Sequence, residues 1–385
     1  PHSGRVKKQG FPRLPAFRTD VVLPDKGTVK VRLSSSDYTD IPCSPPPASA
    51  GFVKRSNAQN TPYAETVRPY KGKQVFPRQL LRLSGPYRIR SVRAAGIVVY
   101  PFRYYPKRGV MRVFRSLAFE LVAEHKRKKL RFSGPFRIDA FKALGRRNFI
   151  NAATAFRNEG GSVSPQMRGV DSDSFQEGSA ALPQTKGALL TIAGKGLSDP
   201  LRDLLQWKRQ LGFTVYTAAY PADTGQGRQQ LAAYIREQYN ERNIAYVILA
   251  GDAADIPVHT RTPNPSDTLY TLVSGDDAYH DLFISRLPAK DKGELTAMLD
   301  KIINYEKNPA KQGTPATWYR KGLFVGSDEG SLTSAFGLRD RDILATEREK
   351  LLEGTYTQID EVYDPDADAA TVIDLWNRGR GMVYY

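Results

Sequence analysis

The sequence predicts a chain of two parts: a β-rich amino-terminal part, then an α/β part whose sheet is mainly parallel. Polar and apolar residues alternate in the first part, whereas strand and helix patterns alternate in the second. Charge divides the chain in the same way. Residues 1–150 carry 32 Lys and Arg against 8 Asp and Glu, a net charge of +24, and residues 151–385 carry 25 against 32, a net charge of −7. Such a division is typical of two modules.

The composition excludes several classes of protein. With 385 residues, 40% of them hydrophobic, the chain is long enough for two or three domains with buried cores. No run reaches the ~18 apolar residues of a membrane-spanning helix. The single cysteine, Cys43, excludes a disulfide framework and a zinc site built from several cysteines. The chain opens on Pro without a signal peptide, so we expect a processed product or a fragment.

Strand patterns dominate the first part. Residues 28–33 (TVKVRL) alternate polar and apolar, and the same period places residues 113, 115, 117, 119 and 121 on one face, after a turn at residues 106–109 (PKRG). Residues 84–90 (SGPYRIR) and 133–139 (SGPFRID) nearly repeat. We interpret the two copies as similar Gly-Pro turns that lead into strands.

A segment rich in Gly, Ser and Gln separates the two parts. It spans residues 158–186 and shows little hydrophobic periodicity, which is typical of an exposed linker. The predicted boundaries are therefore 1–157 for the basic part, 158–186 for a flexible linker and 187–385 for the α/β part. A protease would cut most easily within the linker.

After the linker, short apolar runs alternate with segments of helical period. Strands are predicted at residues 189–194, 213–216, 246–250, 323–325, 356–363 and 381–385, with two more around Gly275 within 267–287. Helices are predicted at residues 198–211, 228–240, 295–303, 341–352 and 367–378. Alternation of this kind predicts right-handed crossovers and a mainly parallel sheet.

Acidic residues follow several of these strands. Asp252, Asp276, Asp277, Asp328 and Glu329 are each placed at a predicted strand end. Active sites of parallel sheets lie beyond the carboxyl ends of the strands. The sequence therefore predicts a cluster of carboxylates along one rim.

Calcium is the metal that these carboxylates suit best. Asp276, Asp277 and Asp281, with Asp252 or Asp267 nearby, offer oxygen ligands, although their spacing is not that of an EF-hand. Aspartates that form turns and cap helices explain the same pattern equally well.

Motifs of nucleophilic catalysis are missing from the sequence. Cys43 lies in a Pro-rich loop, far in sequence from any histidine, and His259 and His280 fit surface positions. There is no GxSxG, HExxH, P-loop or GxGxxG pattern. Interleaved Arg and aromatic residues, as in residues 102–105 (FRYY), suit nucleic acid. A two-faced strand has the same pattern, so nucleic-acid binding is the weaker interpretation.

Four segments of the α/β part stand in a characteristic order: residues 246–257 (YVILAGDAADIP), 266–270 (SDTLY), 275–286 (GDDAYHDLFISR) and the helix that ends at Tyr305-Glu306. In order and spacing they resemble the catalytic domain of the gingipain-type cysteine peptidases, peptidase family C25. The basic part is similar to that family's propeptide. Residues 11–15 (FPRLP) resemble its opening and residues 149–151 (FIN) its last segment before the mature enzyme.

The resemblance implies a caspase-like α/β fold and peptide-bond hydrolysis by a Cys nucleophile and a His base, which a Glu helps to position. Glu329, within residues 326–330 (GSDEG), matches that Glu. A carboxylate there holds an imidazole in its working tautomer and stabilises the imidazolium. The family's His turn would begin where the chain stops, at Tyr384-Tyr385. We therefore expect the His and Cys to be missing from these residues, and the 385-residue chain to be inactive.

The resemblance also implies roles for other residues. Asp342 or Asp340 corresponds to the aspartate that binds Arg or Lys of the substrate, and the loop lengths do not settle which. Family members bind calcium, which favours a structural calcium site among the aspartates named above without assigning ligands. Family propeptides end at a basic residue near Arg157, which makes Arg157 the predicted processing site.

The leading hypothesis is the amino-terminal portion of an exported, secreted or cell-surface cysteine endopeptidase zymogen with protein or peptide substrates. Its basic part is expected to dock on the α/β part of the same chain, and no membrane span is expected. One alternative is a sortase-like or non-catalytic relative that processes or anchors exported proteins. The other is a module that binds nucleic acid or another polyanion through its basic half.

Overall fold

The computed structural model describes residues 2–5, 10–49, 74–123, 140–141, 149–155, 186–259, 266–308, 316–330 and 338–385. The second copy of the near-repeat, residues 133–139, lies outside the described residues. So do Arg157 and all of the predicted linker except its last residue, Lys186.

Strands make up most of the described basic part, as predicted. They are β1 (His2–Arg5), β2 (Pro15–Val22), β3 (Val29–Pro42), β4 (Leu81–Ile89), β5 (Val92–Val99), β6 (Phe102–Tyr105) and β7 (Val110–Ala123), followed by a short helix α1 (Ala152–Ala155). They form two antiparallel sheets, in the orders β1-β2-β5-β4 and β3-β7-β6. The alternating pattern at residues 28–33 enters β3, and the predicted turn at 106–109 joins β6 to β7.

The two antiparallel sheets pack against each other. Val21 of β2 and Ile97 of β5 lie in one buried cluster with Val29 of β3 and Phe119 of β7. Each of these residues belongs to the apolar face of an alternating strand, because successive side chains of a strand point to opposite faces. The basic part therefore has a core of its own.

The α/β part begins with a four-stranded parallel sheet. Its elements are β8 (Ala188–Ala193), α2 (Arg202–Gln210), β9 (Thr214–Ala219), α3 (Arg228–Arg242), β10 (Ile244–Ala250), β11 (Phe283–Leu287) and α4 (Lys292–Lys307). The strand order is β11-β10-β8-β9, and all neighbours are parallel. Every residue of β8 is buried, because α3 covers one face of the sheet and α2 and α4 cover the other.

A second parallel sheet follows. It is built from β12 (Lys321–Gly326), α5 (Asp340–Glu353), β13 (Gln358–Tyr363), α6 (Ala369–Asn377) and β14 (Met382–Tyr384), with the strand order β13-β12-β14. Leu344 of α5 packs on Phe324 and Ile359 of the sheet. The predicted fold class, an α/β part with mainly parallel sheet preceded by a β-rich part, is thus confirmed. The described strands form two parallel sheets rather than one.

One predicted element is wrong. We expected two strands in residues 267–287, but Asp267–Thr271 form a 3₁₀ helix and only β11 is a strand. The cause is a side chain. Asp281 Oδ2 accepts hydrogen bonds from the backbone N–H groups of Val273 and Ser274, at 3.2 and 2.7 Å. These two N–H groups are therefore satisfied by a side chain and not by the backbone of a neighbouring strand.

Candidate active site

The loop after β12 is held against the start of α5. The backbone N–H of Asp340 donates to the carbonyl of Glu329 at 2.9 Å, and that of Arg341 donates to the carbonyl of Ser327 at 3.2 Å. The Ser327 hydroxyl also donates to Asp340 Oδ2 at 3.0 Å. The amino end of α5 thus fixes the position of this loop at the carboxyl end of β12.

Glu329 is placed at this rim with its side chain exposed. Its backbone N–H donates to the Ser327 hydroxyl at 3.3 Å. The next residue, Gly330, has φ +99°, and a Cβ there would lie 2.6 Å from Asp340 Oδ1. The chain can pass this close to α5 only because residue 330 is glycine. The structure therefore places Glu329 at the strand end where the sequence predicted it, and its functional role stays a prediction.

Asp340 and Asp342 both lie in the first turn of α5, where a carboxylate stabilises the helix dipole. Arg339 donates to both carboxylate oxygens of Asp342, at 2.9 and 3.0 Å. This bidentate contact holds the pKa of Asp342 below its usual value. Asp340 instead accepts from Ser327 and adjoins the Glu329 loop. The structure brings Asp340 next to Glu329, and Asp342 next to an arginine of its own chain.

Two arginines at this rim escaped the sequence analysis. Arg341 donates to Asp328 at 3.2 Å and to the carbonyl of Asp364 at 2.9 Å, and Arg339 also contacts Asp328, at 3.4 Å. The rim is therefore a mixed set of charges rather than a row of carboxylates. The alternation of residues 339–342 (RDRD) was the signal for these pairs.

The carboxyl rim of the first sheet is organised by Arg286. Its guanidinium pairs with both carboxylate oxygens of Asp267, at 2.7 and 2.8 Å. It also donates to the carbonyls of Gly251, Asp252 and Ile256 at 2.9–3.2 Å. Asp267 is thus neutralised by Arg286, and the Asp252 side chain accepts from the N–H of Ala253.

The other three predicted calcium ligands lie elsewhere. Asp276, Asp277 and Asp281 precede β11, so they lie at the amino edge of the sheet, opposite the rim on which the sequence analysis placed Asp276 and Asp277. That placement depended on the strand that did not form. In the described part of the chain, no three His, Cys, Asp or Glu side chains are grouped as a metal site requires. The five aspartates do not fit one calcium ion, and calcium binding stays a prediction without ligands.

The amino edge is instead where the two parts of the chain meet. Asp277 Oδ2 accepts from the backbone N–H of Arg88 at 2.8 Å, and Asp281 Oδ1 accepts from that of Arg90 at 2.6 Å. Tyr87 stacks on Tyr279 with ring centroids 3.8 Å apart. Two of the proposed metal ligands are therefore contacts between the basic part and the α/β part.

Among the described side chains, Cys43 belongs to the basic part, whereas His259 and His280 belong to the α/β part. Cys43 follows β3 in the basic part, where it packs beside Leu14, Tyr104 and Met111. His280 lies at the amino edge of the first sheet, with Nδ1 2.6 Å from the Thr271 hydroxyl. His259 lies in the loop after β10, against Tyr270. The structure supports the interpretation that Cys43 is not a catalytic residue.

Comparison with known families agrees with this arrangement. The sequence profile of Peptidase family C25 matches residues 182–385, and that of Propeptide_C25 matches residues 1–153. The chain belongs to peptidase family C25. Membership of this family confirms the resemblance from which we predicted a caspase-like fold for the α/β part. It also identifies the basic part as the family's propeptide, which is bound within the same chain through the contacts at the amino edge.

Similar proteins include gingipains from Porphyromonas gingivalis. Gingipain R1 is 24% identical over 99% of this chain and 36% of its own length, and gingipain R2 is 24% identical over 99% of this chain and 49% of its own. Lys-gingipain is 24% identical over 77% of this chain and 17% of its own length. The chain thus spans at most about half the length of these relatives.

Solved structures of the same family are also similar. The crystal structure of the Arg-specific cysteine proteinase gingipain R matches with 27% identity and a TM-score of 0.48, over 51% of this chain and 46% of that one. The complex of RgpB pro- and mature domains matches with 26% identity and the same TM-score, over 51% and 47%. Among the described residues, we find no helix with the length and apolar character that crossing a membrane requires.

Proposed function

We propose that the chain is the prodomain and the first portion of the catalytic domain of an exported cysteine endopeptidase zymogen that cleaves after Arg or Lys. Membership of the family supports peptide-bond hydrolysis by a cysteine peptidase. The names of the similar proteins refer to Arg or Lys: one is an Arg-specific cysteine proteinase, gingipain R, and another is Lys-gingipain. The observation that carries the proposal for this chain is the position of Glu329. It lies beyond the carboxyl end of β12, on a loop fixed to α5 by two backbone hydrogen bonds.

In this proposal Glu329 is a positioning residue. The proposal concerns the protein that carries the family's nucleophile and base. A carboxylate that accepts a hydrogen bond from the histidine keeps the imidazole in one tautomer and favours its protonated form. Glu329 is exposed at this rim.

Substrate charge would be recognised at the amino end of α5. A carboxylate there can bind the guanidinium or ammonium group of a substrate residue. We favour Asp340, because it adjoins the proposed positioning residue: its backbone N–H donates to the carbonyl of Glu329 at 2.9 Å.

The test uses the protein of the complete reading frame. Glu329→Gln is expected to lower kcat/KM for an Arg substrate by about 10²–10⁴-fold, the range of a lost acid–base contribution. The acidic limb of the pH profile should move to lower pH, since removing a nearby negative charge lowers the pKa of a histidine. Glu353→Gln, an exposed change at the end of α5, is the control. A Glu329→Gln enzyme with unchanged rate and pH profile contradicts the assignment.

Specificity is tested by a matched pair of variants. Asp340→Asn should lower kcat/KM for Arg and Lys substrates and leave kcat/KM for a neutral substrate unchanged. Asp342→Asn should leave kcat/KM unchanged for both kinds of substrate. The opposite result assigns the role to Asp342.

Cleavage at Arg157 during maturation, which we also propose, is tested by N-terminal sequencing: a product that begins at Asn158 supports it.

The polyanion alternative would use arginines of the basic part, some of which already have acidic partners. Several arginines of the basic part are neutralised on the β3–β7 ladder: Arg32 pairs with Glu120 at 2.6 Å, Arg115 with Asp37 at 2.8 Å, and Arg112 with Asp40 at 2.7 Å. The other alternative, a non-catalytic or sortase-like relative, is excluded if the protein hydrolyses the Arg substrate in the assay above.

A further inference from the structure

Arg90 occupies a position at which arginine is an unfavourable residue. It is the first residue of the two-residue loop between β4 and β5, and its φ is +52°. Loops of this kind favour Gly, Asn or Asp, because other side chains cost about 1–2 kcal/mol in the left-handed region. The hairpin alone therefore does not explain why the residue is arginine.

The side chain of Arg90 is buried in the α/β part. Only 6% of the residue is exposed. Nη1 donates to the carbonyls of Ile244 at 3.0 Å and Asp281 at 2.9 Å, and Nη2 donates to the carbonyl and the side-chain oxygen of Asn243. All these acceptors are oxygens of the α/β part, and they match the planar, many-donor geometry of a guanidinium group.

The position of these oxygens favours a cation. Asn243 is the C-cap of α3, a helix of 15 residues, and the last carbonyls of a helix carry partial negative charge and lack helical partners. The ring of Tyr239 from α3 lies 4.8 Å from the guanidinium carbon, and that of Phe141 from the basic part lies 5.1 Å from it. Such contacts are strongest when the cation is desolvated.

Asp281 supplies the opposite charge from the other side of the interface. It is fully buried, and its Oδ1 accepts from the backbone N–H of Arg90 at 2.6 Å. The Arg90 guanidinium and the Asp281 carboxylate are thus two buried charged groups of one interface, and separation of the parts would break the hydrogen bonds of Arg90 to Asp281, Ile244 and Asn243. The Tyr87–Tyr279 stack and the Arg88–Asp277 hydrogen bond lie around this centre. In protein interfaces, the contacts that surround a hot-spot residue typically contribute less to the binding energy than the hot spot itself.

We propose that the amino edge of the first sheet carries a second arginine-recognition site, separate from the candidate active site, and that its occupant is Arg90 on the β4–β5 turn. This site holds the prodomain on the α/β part after the linker has been cut. The contacts described above join Tyr87, Arg88 and Arg90 of the basic part to residues 239–281, so cleavage between residues 156 and 186 breaks none of these. It lies at the edge opposite the carboxyl ends of the strands, so binding needs neither substrate nor peptidase activity.

The experiment uses the full 385-residue chain with a recognition sequence for a sequence-specific protease inserted between Gly160 and Gly161. After cleavage, the two fragments are followed by gel filtration, and their affinity is measured after labelling one fragment. The variants are Arg90→Asn, which suits the left-handed turn, and Arg90→Lys, which keeps the charge but loses the guanidinium fork. Arg82→Ala, an exposed arginine of the same strand β4, is the control.

We expect the cut wild-type and Arg82→Ala chains to elute as complexes. Arg90→Asn should raise the dissociation constant at least 30-fold, which corresponds to about 2 kcal/mol, and Arg90→Lys should give a smaller increase. In Arg90→Asn, β4 and β5 should be protected from amide hydrogen exchange at least as well as in wild type, because Asn adopts the positive φ of this turn at a lower cost than Arg. Hydrogen exchange in residues 273–281 should rise.

Two results would overturn the proposal. The first is an Arg90→Asn complex as tight as wild type. The second is dissociation of the wild-type fragments as soon as the linker is cut. If Arg90→Asn loses protection from hydrogen exchange in β4 and β5, its affinity is not informative and Arg90→Lys is used instead. A dissociation constant of the Arg90→Lys fragments equal to that of wild type then contradicts the proposal. None of these measurements uses peptidase activity, so the proposed function is tested separately.

Discussion

Two edges of the α/β part carry charged residues and use them in opposite ways. At the amino edge of the first sheet, Arg90 and Asp281 are 6% and 0% exposed, and each makes hydrogen bonds to the other part of the chain. At the carboxyl rim of the second sheet, Asp328, Arg339 and Asp342 have side chains 37–46% exposed. The first edge joins two domains, and the second faces solvent.

The comparison shows why residue type alone does not identify a site. Exposed ion pairs contribute little to stability, because water screens them and ordering two side chains costs entropy. Charges at the carboxyl rim can therefore exchange partners, as substrate binding requires. Buried charges have no such freedom, since an unpaired one keeps its full desolvation cost. The aspartates expected to bind calcium belong in part to the second class.

The largest difference between the edges should be seen when Asp281 is removed. Asp281→Ala leaves three buried N–H groups without an acceptor, those of Arg90, Val273 and Ser274. At about 1 kcal/mol or more for each, the free energy of unfolding should fall by about 3 kcal/mol. Urea unfolding followed by tryptophan fluorescence measures this, because all three tryptophans lie in the α/β part.

The neighbouring Asp276 provides the control for this variant. It is exposed, and Asp276→Ala should leave the unfolding midpoint unchanged. Equal losses from the two substitutions would show that Asp281 contributes no more than an exposed aspartate, and the contrast between the edges would fail.

The pH dependence of stability should have opposite signs at the two edges. Burial raises the pKa of Asp281 above its unfolded value of 3.8. As pH rises from 3.8 through the folded pKa, the unfolded chain releases this proton first, so the contribution of Asp281 to stability falls. Arg339 lowers the pKa of Asp342 below 3.8. The contribution of Asp342 is therefore complete above pH 3.8 and is lost as pH falls through its folded pKa.

These signs are read from two variants. The stability difference between wild type and Asp281→Asn should narrow as pH rises above 3.8, whereas the difference for Asp342→Asn should narrow as pH falls below it. The same fluorescence measurement, repeated over a pH series, gives both slopes. Parallel slopes would mean that the two carboxylates experience similar surroundings.

A smaller effect is expected from the backbone of the carboxyl rim. Gly330→Ala places a methyl group 2.6 Å from Asp340 Oδ1 at φ +99°, which should cost about 1–3 kcal/mol of stability. Gly196→Ala is the matched control. Its φ is +77° with nothing within 4 Å of the added Cβ, so it should lose about 1 kcal/mol. If both variants lose the same amount, the close approach of the loop to α5 has no energetic consequence.

Sequence patterns predicted the elements that are governed by periodicity. β8 is apolar except for Thr191 and is buried along its whole length, and α3 and α5 have the period of helices packed on a sheet. The strand expected before Gly275 failed for a local reason. Asp281 binds the backbone of Val273 and Ser274, and a hydrogen bond from a side chain eight residues away leaves no periodic signal.

The candidate site was predicted in part, for a related reason. Glu329 follows a strand, so its place at the rim follows from topology. Asp276 and Asp277 were assigned to the same rim because a strand was expected before them. The role of Arg90 could not be predicted, because its acceptors are backbone carbonyls of Ile244 and Asp281, whose identity the sequence does not encode. Its one local signal was an arginine in a two-residue turn.

The smallest effect should come from Cys43. It is the single cysteine of the 385 residues, it belongs to the basic part, and its thiol donates to the carbonyl of Ser44 at 3.0 Å. A serine can make the same contact, so Cys43→Ser should change stability by less than about 1 kcal/mol. Neither wild type nor Cys43→Ser should hydrolyse Arg or Lys amide substrates in the presence of a reducing agent. Hydrolysis by the 385-residue chain that a cysteine-directed inactivator stops, and that Cys43→Ser lacks, would make Cys43 the nucleophile. It would also move the reaction from the rim at Glu329 to the basic part.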